Sequence, residues 1–442
     1  MSPEPAPRRV YVETYGCQMN VADSSLILGA LGREGFVATD NPDGADVLLV
    51  NTCAVRDNAE QRVLGRVGEL QRYTRPGTVL GVVGCMAQRL GPELLAQVPR
   101  VDLVAGPDAY RHLPDLIRQA LAGERVSDTE FRSWEHYEDV PQARESGPMA
   151  FVTVQRGCDY KCTFCIVPYT RGTERSRTLD EVVGEVQRLV ATGTTEVTLL
   201  GQTVNSYHDG THDFGDLLRA VGAVDGLRRL RFTSPYPTDF TPRVIEAMVE
   251  TPAVCEHVHL PAQSGSDAVL RRMLRRYTRA RFLEVVAELR AAMPGLTIST
   301  DLIVGFPGET EADLSDTMSL VDAAGFDEAY TFLYSPRDGT PAVRIPGHVP
   351  EAIGSERLQR LIAHVRGGTR QRNAARVGGV HEVLVERPAR RGGQMLGRTR
   401  SNLLVVLDLP ADSIGEYHTV RLTGTTGSTF TGAVVAPQLA VL

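Results

Sequence analysis

Lysine is almost missing from this chain: of its 47 lysine and arginine residues, only Lys161 is lysine. An imbalance so complete fits a GC-rich coding bias and carries no functional message. Tryptophan is as scarce, represented by Trp134 alone. No apolar run reaches the length of a membrane span, and the opening MSPEPAPRRV lacks the apolar core of a secretory signal. No membrane partner is therefore expected, and the expected compartment is the cytoplasm. Seven cysteines is an odd number, and a reducing compartment disfavours a disulfide framework, which brings metal or catalytic use forward. What remains is ordinary for a soluble globular chain, and 442 residues suffice for two or three domains with sizeable cores.

A formal net charge of −7 argues against a nucleic-acid partner, but the charge is unevenly spread. From Arg357 to Arg400 eleven arginines stand against two acids, Glu382 and Glu386. Local positive fields of this kind hold phosphate whatever the whole-chain sum, which makes Arg398 and Arg400 candidate substrate contacts. A second cluster, LRRMLRRYTRARF, carries Arg271, Arg272, Arg275, Arg276, Arg279 and Arg281. It fits a solvated helix face as well as a phosphate site.

The chain reads as α/β throughout its first three quarters. RVYVETYG, ADVLLVNT and TVLGVVG have the short, Val- and Leu-rich character of buried parallel strands, with helical patterns between and after them. That alternation predicts an N-terminal open α/β domain over residues 8–124. Residues 125–147 lose the periodicity and read as a linker, with Trp134 as its anchor. From 148 to 375 six strand-like segments alternate with helices: FVTVQRG, EVTLLGQ, LRRLRFTS, CEHVHLPAQ, LTISTDLIVGF and EAYTFLYS. This predicts a partial (β/α)6 barrel with its chemistry at the strand C-terminal ends, a doubly wound sheet being the alternative. HEVLVERPA, LLVVLDL, EYHTVRLTG and TFTGAVVA then predict a small β-barrel over 376–439, either an RNA grip or a structural cap.

The strongest chemical signal is RGCDYKCTFCIVPYTRG, in which Cys158, Cys162 and Cys165 are spaced C-x3-C-x2-C just after the first barrel strand. Thiolates are the natural ligands of iron–sulfur clusters, and three of them leave one iron of a four-iron cluster open. Zinc is the competing reading; it wants a fourth Cys or His nearby, and the next histidine is His208. Polar residues at the other strand ends fit a pocket facing this motif: Gln202, Asn205, Ser234, Gln263, Ser264 and Asp301. Cys17, Cys53 and Cys85 each lie just beyond one of the first three predicted strands. If those strands are neighbours, the three thiols share one edge of the sheet, where open α/β folds place ligands. A lone cysteine is usually a small buried hydrophobe, the reading kept for Cys255, but a threefold repeat favours ligation.

These residues resemble the radical S-adenosylmethionine (radical SAM) enzymes, and within them the methylthiotransferases. TYGCQMN, NTCAVRDNAE, GVVGCMAQ, CTFCIVPYTRGTERSR, LLGQTVNSY, HLPAQSGS, DLIVGFPGET and YSPRDGTPA carry the likeness over roughly residues 9–436. NTCAVR and GCMAQ look most like the family's tRNA branch, which adds a methylthio group to C2 of N6-isopentenyladenosine at position 37, beside the anticodon. The resemblance implies an N-terminal α/β domain, a radical SAM barrel and a C-terminal β-barrel called TRAM. It implies two [4Fe-4S] clusters: one on Cys158, Cys162 and Cys165 that binds and cleaves SAM, and an auxiliary one on Cys17, Cys53 and Cys85 whose open iron carries the sulfur. One SAM is then methyl donor and another the radical source. Phe164 is expected to pack beside the first cluster. Arg171, Glu174, Ser176 and Arg177, in the RG-x-E-x-SR signature, are expected near SAM or the substrate. The implied partners are tRNA bearing N6-isopentenyladenosine, an electron donor of the flavodoxin or ferredoxin type, and a sulfur source. The pattern departs at Tyr236, where a histidine is expected, and at Asp159, often Asn in relatives.

Overall fold

The computed structural model describes residues 7–54, 57–143, 147–390 and 392–435. Val55 and Arg56 of NTCAVR, residues 144–146 of the expected linker, Arg391, and residues 436–439 of the expected C-terminal domain lie outside them. Six parallel strands form the first sheet: β1 (Arg9–Thr14), β2 (Val37–Ala38), β3 (Val47–Thr52), β4 (Val79–Gly84), β5 (Leu103–Ala105) and β6 (Val126–Asp128). Their order is β2-β1-β3-β4-β5-β6. Every residue of β3 and β4 is buried, as apolar runs covered on both faces must be. The three predicted strands are its centre, and three short ones extend its edges. β6 falls inside the stretch expected to be linker and completes this sheet. Trp134 does not anchor that stretch, being 62% exposed. Tyr137 does: its hydroxyl donates to Pro107 O at 2.8 Å and accepts from Tyr110 N at 3.1 Å.

The barrel begins with β7 (Met149–Thr153), followed by a two-residue antiparallel pair, β8 (Gln155–Arg156) and β9 (Arg175–Ser176). β10 (Glu196–Leu200), β11 (Arg229–Phe232), β12 (His257–His259), β13 (Thr297–Val304) and β14 (Glu328–Leu333) complete the wall. β7-β10-β11 and β12-β13-β14 are parallel triplets, joined by a bridge from Leu230 to Val254. Strand order follows chain order with no reversal, which is the open six-stranded barrel and not a doubly wound sheet. Helices amphipathic enough to bury Val182, Val186, Leu217, Val244, Val285 and Leu320 cover the outside.

The last five strands close a barrel in the order β15-β16-β17-β19-β18: β15 (Val380–Pro388), β16 (Met395–Thr399), β17 (Leu404–Leu407), β18 (Tyr417–Thr425) and β19 (Thr429–Val434). β16 is absent from the sequence reading because MLGRT is short and Gly397 interrupts its apolar alternation. This barrel caps the N-terminal ends of the larger one. Arg229, fully buried, donates to Arg398 O at 2.9 Å and Glu382 O at 3.0 Å, and Arg231 donates to Arg400 O and Thr399 O. Thr297 Oγ1 donates to Ser401 O at 2.7 Å, and Tyr417 OH donates to Thr195 Oγ1 at 2.9 Å. Among the described residues no helix is long and apolar enough to cross a membrane.

Candidate active site

Register places the first cysteine set. Thr14 pairs with Asn51 and Thr52 with Gly84, so Cys17, Cys53 and Cys85 follow the C-terminal ends of three adjacent, in-register strands, β1, β3 and β4. Helix α1 (Gln18–Arg33) starts at Cys17, whose backbone N–H donates to Asn20 Oδ1 at 3.3 Å. Asn20 Nδ2 in turn donates to Thr52 O at 3.1 Å, and Asn51 Nδ2 to Asn20 O at 2.8 Å. These buried amides lock the start of α1 onto the end of β3. Two glycines permit the approach. Gly16 and Gly84 both have positive φ, and a Cβ on Gly16 would lie 2.7 Å from Cys53 Cβ, one on Gly84 2.5 Å from Asn51 Oδ1. Hydrogen bonding with Cys53, helped by the nearby Arg171, pulls the Cys17 thiol down to about 6, whereas burial pushes the Cys85 thiol up.

The second set follows β8, on the barrel side of the seam. Cys158 and Cys162 are buried, and Cys165 N donates to Cys162 O at 3.0 Å. Arg275 donates from Nη1 to Cys162 Sγ at 3.4 Å, with its guanidinium 4.4 Å from the Tyr236 ring and 5.0 Å from Tyr277. Tyr236, at the position where a histidine is expected, stacks on Tyr160 with ring centroids 3.8 Å apart and accepts from Arg276 N at 2.9 Å. Tyr160 OH donates to both oxygens of Asp239 at 2.8 and 2.7 Å. The loop carrying Cys158 and Cys162 is thereby clamped from its middle. Phe164 packs edge-on to Phe306.

All seven cysteines are free thiols, and within each set of three the thiols lie near enough to influence one another electrostatically. Among the described residues no three His, Cys, Asp or Glu side chains are drawn together tightly enough for a single ion. Three thiols per set match the number of protein ligands of a four-iron cluster that keeps one iron open. Burial, with a smaller part from neighbouring thiols, pushes Cys158 up to about 11 and Cys165 up to about 12. Both are protonated near neutrality and must release a proton to become ligands. Cluster retention is therefore expected to weaken as pH falls from about 8.5 to about 6.5, by roughly tenfold per thiol per pH unit. Iron retained per chain against a chelator at the two pH values measures this; retention independent of pH would count against thiolate ligation.

The two sets meet across the seam between sheet and barrel. Ile166, next to Cys165, packs on Ala54 and Cys85. Asp23 of α1, with no exposed surface, accepts from Arg156 Nη1 at 3.0 Å and Arg171 Nη2 at 2.7 Å. Arg175 pairs with Asp108 across the same seam. Arg337, after β14, is a nearby charge for Cys53.

The other predicted residues divide into frame and pocket. Arg177 is buried in the wall, donating to Glu185 at 2.6 Å and Thr153 O at 3.0 Å. Asn205 uses both ends of its amide on the backbone of Tyr236. Ser176 Oγ accepts from His208 N at 3.3 Å. Ser234 and Gln263 hold positive φ at strand ends, and Gln263 bonds through its backbone to Asp301 and Ile303. Gln202 Oε1 is buried without a hydrogen-bond partner, and Asp301 faces the barrel interior beside His259 at 3.3 Å. Glu174 accepts from Ser206 Oγ at 2.8 Å, and burial raises its carboxyl. Arg398 and Arg400, candidate substrate contacts, both hold ion pairs in this structure, Arg398 within the C-terminal barrel and Arg400 across to the larger one. Arg398 pairs with Glu386 at 2.5 Å, and Arg400 with Glu256 at 3.0 Å and the carbonyls of Pro252 and Val254. Asp23, Arg156, Tyr160 and Arg337 carry no signal in the linear sequence, and Arg275 stands in a basic cluster from which Arg281 turns outward to Glu288.

Three family models match: the uncharacterized protein family UPF0004 over residues 9–106, the radical SAM superfamily over 152–321, and the TRAM domain over 374–435. A tRNA-2-methylthio-N(6)-dimethylallyladenosine synthase of Jannaschia sp. (strain CCS1) is 42% identical, covering 98% of this chain and 96% of the relative. One of Alkalilimnicola ehrlichii is 43% identical over 94% of this chain and 95% of its own length. The chain belongs to this synthase family. As a member it is a radical SAM methylthiotransferase with [4Fe-4S] clusters and SAM as cofactors. Among solved structures, the radical SAM methyltransferase TsrM of Kitasatospora setae shares the fold at a TM-score of 0.56 and 16% identity, covering 76% of this synthase-family chain and 77% of its own. The cobalamin-dependent radical SAM enzyme OxsB does so at 0.54 and 12%, covering 82% and 58%.

Proposed function

We propose that this methylthiotransferase acts at C2 of N6-isopentenyladenosine, position 37 of tRNA, with Cys158, Cys162 and Cys165 holding the SAM cluster and Cys17, Cys53 and Cys85 the auxiliary one. The observation that carries this reading is the meeting of two three-thiol sets over Ile166, one from strand ends of the sheet and one from the barrel mouth. Bound there, the clusters supply one-electron reduction of SAM and an open iron for sulfur. The chain's own part is to orient and enclose. Gln202, with its unpartnered buried oxygen, together with Gln263, Asp301 and Phe164, lines the SAM side of the space. Arg177, Asn205, Ser176 and Ser234 hold the loops that shape it. Glu174, beside Cys158, faces the substrate side. The small C-terminal barrel grips the RNA. A flavodoxin- or ferredoxin-type protein supplies electrons, a separate carrier supplies sulfur, and the reaction takes place in the cytoplasm.

Mass spectrometry of tRNA nucleosides from a strain lacking this protein tests the reading. The 2-methylthio derivative is expected to disappear and N6-isopentenyladenosine to accumulate. Retention of the methylthio nucleoside, with no second enzyme to supply it, would sink the assignment.

A further inference from the structure

Arg171 comes from the barrel, at the end of the helix Val167–Arg171, yet it lies among residues of the N-terminal sheet. It is 4% exposed, and Nη2 is fixed on Asp23 Oδ2 at 2.7 Å. Asp23 is held in turn by Arg156, so the carboxylate has two guanidinium partners and does not depend on Arg171 alone. The second arm of Arg171 is different. Nη1 is buried and meets no hydrogen-bond acceptor. Buried donors find partners in nearly every native structure, and a charged one left open marks a place for a ligand. Its surroundings name the ligand's chemistry: the Cys85 thiol lies beside this guanidinium, near enough that the contact counters part of the rise that burial causes, and the Cys17 thiol lies within its electrostatic reach.

We infer that Arg171 is the anion-binding residue of the auxiliary site: Nη1 donates to the small sulfur anion, hydrosulfide or methanethiolate, that occupies the fourth position beside Cys17, Cys53 and Cys85. Asp23 is the positioning residue, because it sets the plane of the guanidinium and thus the direction of the free arm. A planar, rigid fork suits this task, since one arm is anchored while the other is aimed. The arrangement also divides labour between domains: the sheet brings the thiols, and the barrel brings the charge that receives the ligand. The auxiliary anion site is therefore complete only when sheet and barrel are docked. This inference rests on the auxiliary cluster proposed above.

The test uses the full chain with Cys158, Cys162 and Cys165 all changed to alanine, reconstituted anaerobically so that only the auxiliary site carries iron. Sodium hydrosulfide is the probe, and its half-saturation is read from the electron paramagnetic resonance spectrum of the reduced cluster. Arg171→Gln in this background is expected to keep about four irons per chain and to raise the half-saturation concentration about tenfold or more, the loss of one charge-assisted hydrogen bond. Arg171→Lys keeps a charge against Asp23 but loses the second arm, and is expected to fall between. Wild-type half-saturation in whichever variant holds its irons overturns the inference. Loss of the irons from both overturns it too, because Arg171 would then support the thiols and not the ligand. If the parent chain itself holds no four-iron cluster, the auxiliary-cluster reading fails instead.

Discussion

Cys17→Ala is expected to abolish methylthiolation of tRNA while leaving reductive cleavage of SAM at its wild-type rate. In the assignment proposed above, the two activities draw on thiols from different folding units. Cys17 belongs to a sheet edge built by β1, β3 and β4, whereas Cys158, Cys162 and Cys165 are clamped within the barrel by Tyr160 on Asp239 and by Arg275 on Cys162. On that assignment, removing one of the three thiols at the sheet edge would leave the auxiliary cluster with two protein thiolates, too few to retain it. Nothing in the barrel's own clamp is touched. The measurement is paired: 5′-deoxyadenosine formed with dithionite, and methylthio nucleoside formed on isopentenylated tRNA. Loss of deoxyadenosine formation in a variant whose barrel cluster is spectroscopically intact would refute the division of labour.

The second large effect is structural. Asp23→Ala is expected to destabilise the docking of sheet on barrel by about 3–5 kcal/mol, the usual consequence of leaving buried charges without their partner. Burial alone would raise the Asp23 carboxyl, but Arg171 and Arg156 outweigh it and hold the group below its ordinary range. Without it, two guanidinium groups on the barrel side of the seam, each about 95% buried, are left together with no carboxylate between them. In a chain of several domains this appears as an earlier unfolding step and not as a uniform shift. Denaturant curves followed by near-ultraviolet circular dichroism and by cluster absorbance would separate the steps. An Asp23→Ala protein within about 1 kcal/mol of wild type, the ordinary spread for surface changes, would assign the pair no such role.

Most of the thiol placement was legible in the linear chain because it follows strand periodicity. Cys17, Cys53 and Cys85 repeat one local relation, strand and then cysteine, and parallel register converts that relation into proximity. The C-x3-C-x2-C motif needs only one loop. The barrel was legible for a similar reason, since six apolar runs alternating with helices leave few topologies. What stayed hidden depends on contacts between distant segments. Nothing local in VADSS separates Asp23 from a solvent-facing acid, and its two arginines lie more than a hundred positions away. Arg275 and Arg276 are neighbours in a basic run, yet one reaches Cys162 and the other lies over Tyr160. Arg400 shows the same dependence: in a basic stretch that suggested RNA, its guanidinium reaches across the joint between the two barrels to Glu256, while Arg398 beside it pairs with Glu386 of its own barrel.

That joint has a geometric consequence. Thr195, Arg229, His257 and Thr297, which precede or open β10, β11, β12 and β13, all bond the C-terminal barrel. The thiols lie past the other ends of the strands. The longest of these, β13, has eight residues, which at about 3.3 Å each is roughly 26 Å of separation. On the proposed reading, an RNA gripped by the C-terminal barrel and modified beside the thiols would have to bridge that gap. A loose nucleoside is too short, whereas a folded stem with its loop has the reach, so the length of the strands works as a caliper for the substrate's overall shape.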